Sequence, residues 1–190
     1  MSAKDAMTAR KPTRLTIKTA DTEKTKSQQE ALDYYEYSAK GGDGSANMIL
    51  AQLYYFGTEG HEPDYEKARV YFEKSLNLGH DSAYSFLGQI YYRGEGVPVD
   101  YNKAFKFFTM AAEKGVASAY NGLGLLYWHG HGVEKDLDTA ETYFKQAADL
   151  KYPEAFYNYA MVLLEQPSTF NTDKVFQNLL AATKSGNHKL

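Results

Sequence analysis

The sequence predicts an all-α protein built as a solenoid of about four helix-turn-helix repeats. Two observations predict it. Residues 82–117, "SAYSFLGQIYYRGEGVPVDYNKAFKFFTMAAEKGVA", align with residues 118–153, "SAYNGLGLLYWHGHGVEKDLDTAETYFKQAADLKYP", so that every landmark recurs after 36 residues. Within each copy, apolar residues fall three and four apart in two runs separated by a glycine-bearing turn, the spacing that gathers side chains on one face of a helix. A helix pair of this size cannot bury its apolar face alone, so copies stack and share a core.

The elements follow in order. Residues 1–26 are polar and carry a net charge of +4, against −7 for the rest of the chain, and are expected to form a disordered basic arm. Residues 27–187 form the solenoid. A half repeat at 27–44 supplies one second helix, in which Ala31 and Tyr35 match Ala68 and Phe72 of the next copy. Full repeats occupy 45–81, 82–117 and 118–153, and a degenerate one, 154–187, loses its glycines in "EQPSTFNTDK".

In repeat 82–117 the first helix places Tyr84, Leu87, Gly88 and Tyr91 on one face, and the second does so with Ala104, Phe107, Phe108, Ala111 and Ala112. Ala51, Gly88, Gly124 and Ala160 are small where the paired helix crosses, which lets two backbones approach while an aromatic ring fills the space beside them. Gly79, Gly115 and Gly186 end the second helices as left-handed caps, and Lys151 in the third repeat is a strained exception. Asp64, Asp100 and Asp136 start those helices by accepting backbone N–H bonds.

These residues resemble the Sel-one-like repeat family, relatives of the tetratricopeptide repeats. The shared pattern is A-x-x-x-L-G-x-x-Y, then G-x-G-V, then D-x-x-x-A-x-x-Y/F-x-x-A-A-x-x-G, followed almost completely from Ala83 to Gly115. The resemblance covers residues 27–187 and implies a right-handed α-solenoid whose first helices line a concave face.

Catalytic and metal chemistry find no support in the residue types. With no cysteine there is no thiolate nucleophile or ligand. "GHGV" and "GEGV" lack the further glycine of a dinucleotide loop and the Gly-Lys-Ser/Thr of a nucleotide loop. His129 and His131 occupy the slots of Arg93 and Glu95, outside the repeat signature, and no third ligand lies near them in sequence. No metal, cofactor or catalytic residue is expected. The acidic body argues against a nucleic-acid partner, and no segment has the ~20 apolar residues that insertion into a membrane requires.

A protein or peptide partner is expected instead. On the first helices a second stripe runs about 100° round from the core face: Ser45, Met48, Gln52 and Tyr55, then Ser82, Ser85, Gln89 and Tyr92, then Ser118, Asn121, Leu125 and Trp128, then Glu154, Tyr157, Met161 and Leu164. Stacking aligns Tyr55, Tyr92 and Trp128 into an aromatic ladder among amides and hydroxyls. Two readings fit it, a binding face for an extended polypeptide and a set of wedges between repeats. The candidate binding residues are Gln52, Tyr55, Ser85, Gln89, Tyr92, Asn121, Trp128 and Tyr157.

Near the C-terminus Phe176, Leu179, Leu180 and Ala182 form an apolar stripe that calls for cover, from a second copy in a homodimer or from further repeats of a longer array. "DYYEYSAKGG", "LAQLYYFG" and "EAFYNYAMVL" are similar to the repeat segment of the endoplasmic-reticulum-associated degradation adaptors that partner the Hrd ubiquitin ligase. That resemblance implies a luminal, non-enzymatic scaffold that helps present misfolded proteins. The alternative is a cytoplasmic enzyme regulator or signalling scaffold, and the sequence leaves the compartment open.

Overall fold

The computed structural model describes residues 27, 29–58, 62–166 and 171–185. Among these the regular elements are helices: α1 over residues 29–40, α2 Gly44–Phe56, α3 Tyr65–Asn77, α4 Ala83–Arg93, α5 Tyr101–Glu113, α6 Ala117–His129, α7 Leu137–Asp149, α8 Pro153–Glu165 and α9 Thr172–Lys184. They pair as α2 with α3, α4 with α5, α6 with α7 and α8 with α9, and successive pairs stack. First helices also touch one another, α4 with α6 and α6 with α8, with no contact of similar extent among the second helices. The result is a right-handed α-solenoid with its first helices on the inside of the curve. The expected basic arm, residues 1–26, and the expected cap at Gly186 lie outside the described residues.

The first three pairs are each centred on one buried phenylalanine of the second helix: Phe72, Phe108 or Phe144. The small residues on the first helices are what admit these rings. A methyl group added at Gly88 would come within 2.6 Å of the Phe108 ring, and one at Gly124 within 2.6 Å of Phe144. Gly costs about 1 kcal/mol against Ala inside a helix, and here the crossing ring leaves no volume for the alternative. Ala51 and Ala160 hold the same place in the neighbouring pairs and are fully buried.

The tyrosine surplus is largely architectural. Tyr54 stacks on Tyr71 at 5.6 Å, Tyr91 on Phe107 at 5.6 Å and Tyr127 on Tyr143 at 5.7 Å, one stack per repeat between paired helices. Lys67 and Lys103 each hold an ammonium 4.9 Å above the Tyr54 and Tyr91 rings. Thr139 takes the lysine's slot in the third repeat and instead donates its hydroxyl to Asp136 at 2.6 Å.

Asp64 accepts from the Lys67 backbone N–H at 3.0 Å, Asp100 from that of Lys103 at 2.9 Å, and Asp136 from those of Asp138 and Thr139. Hydrogen bonds to the ionised form hold all three carboxyls below the usual range: the backbone N–H for Asp64 and Asp100, and the Thr139 hydroxyl first for Asp136. Gly79 and Gly115 follow α3 and α5 at φ 88° and 75°, and Lys151 follows α7 at φ 63°. Lys151→Gly should therefore raise the unfolding free energy by about 1 kcal/mol, read as a higher urea midpoint at unchanged slope.

At the two ends large apolar groups face solvent: Tyr34 and Tyr37 on α1, Phe176 and Leu180 on α9.

Candidate protein-binding groove

The curvature of the first helices produces one continuous groove of about 630 Å³ along α2, α4, α6 and α8. Its walls come from three classes of side chain. Aromatic and aliphatic groups are Tyr55, Phe56, Phe86, Tyr92, Leu125, Tyr152 and Tyr157; amides are Gln89, Asn121 and Asn158; the charged pair is Arg93 and Glu154. Phe108 and Gly122 form part of its floor.

Of the eight candidate binding residues, the groove gathers Tyr55, Gln89, Tyr92, Asn121 and Tyr157. Their accessibility differs. Tyr55 is only 5% exposed, enclosed edge-on by Tyr65, Phe72 and Phe86, with its hydroxyl donating to the Gln89 Oε1 at 3.4 Å. It acts mainly as the wedge between the first two full repeats. Burial, with Glu95 beside it, pushes its phenol well above the ordinary value, so it stays a neutral donor. Tyr92 is half-buried and leans edge-on against Tyr101.

Ser85 and Asn121 are buried and already committed. The Ser85 and Ser118 hydroxyls share a 2.6 Å hydrogen bond across two first helices, and Asn121 Oδ1 accepts from Asn158 Nδ2 at 2.8 Å. Both pairs stitch neighbouring repeats. Gln52 and Trp128 are half-buried outside the groove lining. The Trp128 indole packs edge-on against Phe144 at 5.7 Å and stacks on His129, so the ladder of Tyr55, Tyr92 and Trp128 is interrupted at its third rung.

The loop histidines have a structural task that the sequence did not reveal. His131 stacks on Tyr101 of the preceding repeat at 4.2 Å with rings 14° from parallel, and Gly132 lies so close that an added methyl would meet the Tyr101 Cβ at 2.9 Å. Glu95 fills the same slot one repeat earlier, beside Tyr55 and Arg93. Burial, and then the neighbouring His131, hold His129 below the ordinary imidazole value. Among the described residues no group of three or more His, Cys, Asp or Glu is arranged to hold a metal, and no helix is long and apolar enough to cross a membrane.

Sequence reasoning missed Phe56, Phe86, Arg93, Gly122, Tyr152 and Asn158. Phe56 is the most consequential, standing 67% exposed at the groove mouth with its ring 6.2 Å from that of Phe86. A signal was present: Phe56, Arg93 and His129 share one slot, and Phe86, Gly122 and Asn158 share another. A slot whose chemistry changes from repeat to repeat is not fixed by the architecture.

Stacked helix pairs with a side-chain-lined inner groove define the chain as a helical-repeat protein. A model of the Sel1 repeat matches residues 22–43, 44–80, 81–116 and 117–152, well over half of the sequence, and the chain belongs to the Sel1 repeat family, whose members are in general protein-interaction scaffolds. Among solved structures it is similar to a Sel1 repeat protein from Oxalobacter formigenes, with 28% identity and a TM-score of 0.71 over 83% of this chain and 64% of that one. It is also similar to c5321, a protective antigen of uropathogenic Escherichia coli, with 28% identity and a TM-score of 0.69 over 82% of this chain and 33% of the other. A curated relative is HRD3A of Arabidopsis thaliana, an ERAD-associated E3 ubiquitin-protein ligase component, 36% identical over 69 residues. That match spans 36% of this chain and a tenth of the plant protein's length.

Proposed function

We propose that the protein is a non-enzymatic adaptor that binds an extended segment of a partner polypeptide in the groove along α2, α4, α6 and α8. The observation that carries this reading is the lining itself. Flat aromatic faces give contact area at low entropic cost, and the amides of Gln89 and Asn158, each bonded once to a neighbouring side chain, keep further hydrogen-bonding capacity for a peptide backbone. The half-buried Tyr152 adds a phenol to this lining, pushed up to about 12 by burial and then by Glu154. The likeness to the plant ligase component supports a place for this adaptor in a degradation complex for misfolded proteins.

The test uses a partner recovered on the full chain, then purified and titrated calorimetrically. Tyr157→Ala, which strips one wall of the groove, should weaken binding by about tenfold or more, while Lys106→Glu on the exposed surface of α5 leaves it unchanged. Binding that ignores Tyr157→Ala and fails in Lys106→Glu would place the interface elsewhere and overturn the reading.

A further inference from the structure

The groove has one cation and one step in its floor, and together they specify what fits. Arg93 ends α4, and among the groove-lining residues it is the one Lys or Arg. Its neighbours come from far apart in the chain: Tyr55 from the first full repeat and Tyr152 from the junction before α8 both lie near enough to act electrostatically on it. Its ion pair is weak, a single Nη1 contact to Glu95 Oε1 at 3.4 Å, with the Arg93 side chain 56% exposed. A guanidinium carries five N–H donors in a planar fork that matches a carboxylate. The second groove-lining charge, Glu154, is exposed and lies beside the Tyr152 phenol.

The step lies at Gly122. In the preceding repeat the same slot holds Phe86, whose ring stacks on Phe72 at 4.6 Å and 11°; in the following repeat it holds Asn158. Between these two walls the glycine has no side chain, and the Phe108 ring lies against its backbone, within 2.6 Å of where a methyl group would sit. The ring fills the place of the missing side chain and is itself only 2% exposed, so the floor between the two walls is closed, apolar and free of any projecting side chain.

We infer that the groove recognises an extended segment in which a bulky apolar side chain, laid over the Gly122 and Phe108 floor between Phe86 and Asn158, lies close to an acidic side chain held by Arg93. This rests on the groove reading above and adds the chemistry of the segment. The charge of Arg93 favours it at that place: a carboxylate meets a guanidinium whose one ion pair is a single long contact, whereas a basic side chain would confront it directly.

The experiment pans random dodecapeptides displayed on phage against the full chain, then measures synthetic versions of the enriched peptides by fluorescence anisotropy. The expected result is enrichment of Asp or Glu beside Leu, Met, Phe or Tyr, with affinity falling as salt rises. Arg93→Glu, whose exposed position leaves the helices intact by circular dichroism, should cost such peptides about tenfold in affinity, and replacing their acid by Lys should restore part of the loss. Peptides that bind with no acidic preference, ignore Arg93→Glu and still lose affinity in Tyr157→Ala would overturn this inference and leave the groove reading standing. No enrichment at all, or enriched peptides insensitive to both variants, would overturn both.

Discussion

Phe108→Ala should lower the unfolding free energy by about 3–5 kcal/mol, the largest loss expected from a single side chain in this molecule. The ring is confined between α4 and α6, against Gly88 on its own repeat and Gly122 on the next. Neither glycine has a side chain that could swing into the space, and both helices are held by further neighbours, so the cavity cannot collapse. Urea denaturation followed by circular dichroism measures the loss. A second signature is expected because Phe108 bridges two repeats. In a nearly one-dimensional array, removing a junction lowers cooperativity as well as stability. The transition should broaden, and Lys151→Gly, which acts on one turn, should leave its steepness unchanged.

The double variant Phe56→Ala, Tyr92→Ala should weaken partner binding by about a hundredfold or more, with the helix content retained. Few residues carry most of an interface's energy, and they are typically large aromatic groups, each worth about 2 kcal/mol or more when truncated. Phe56 meets that description: it is large, exposed and placed at the groove mouth beside Phe86. Tyr92 is half-buried, and its truncation loosens the contact with Tyr101, so the melting temperature should fall by a few degrees. Isothermal titration of a purified partner reads the binding term, and a thermal melt of the same sample reads the packing term. A loss of binding that tracks unfolding would assign both rings to the scaffold.

The fold was legible because its causes are periodic. The small residue opposite a phenylalanine, the aspartate before each second helix and the paired glycines each recur, and the structure puts Gly88 against Phe108 and Asp100 on the Lys103 N–H as that pattern implies. The groove was legible only in part. Helical spacing says which side of a helix a residue occupies, and Gln89, Tyr92 and Tyr157, placed by it on one stripe, line the groove. It does not say how far a neighbouring repeat leans over that side. Tyr55 and Trp128 fall in equivalent slots and both pack edge-on against the phenylalanine of their second helix, Phe72 or Phe144, yet Tyr55 is also enclosed by Phe86 of the next repeat, where the slot facing Trp128 holds Asn158. Phe56 and Arg93 escaped notice for a different reason: they end their helices, where the period gives out and only the turn geometry decides direction.

The two polar stitches on the inner edge, Ser85 with Ser118 and Asn121 with Asn158, bear on how a partner enters. A tandem array joined only by greasy surfaces can flex like a spring and wrap whatever it meets. Here the links from α4 to α6 and from α6 to α8 are each also pinned by a directional bond, so opening or tightening the arch there means breaking one. In the proposed binding mode the width over α4, α6 and α8 is largely set before a segment arrives, and each bond broken to widen it costs about 1 kcal/mol of the binding energy.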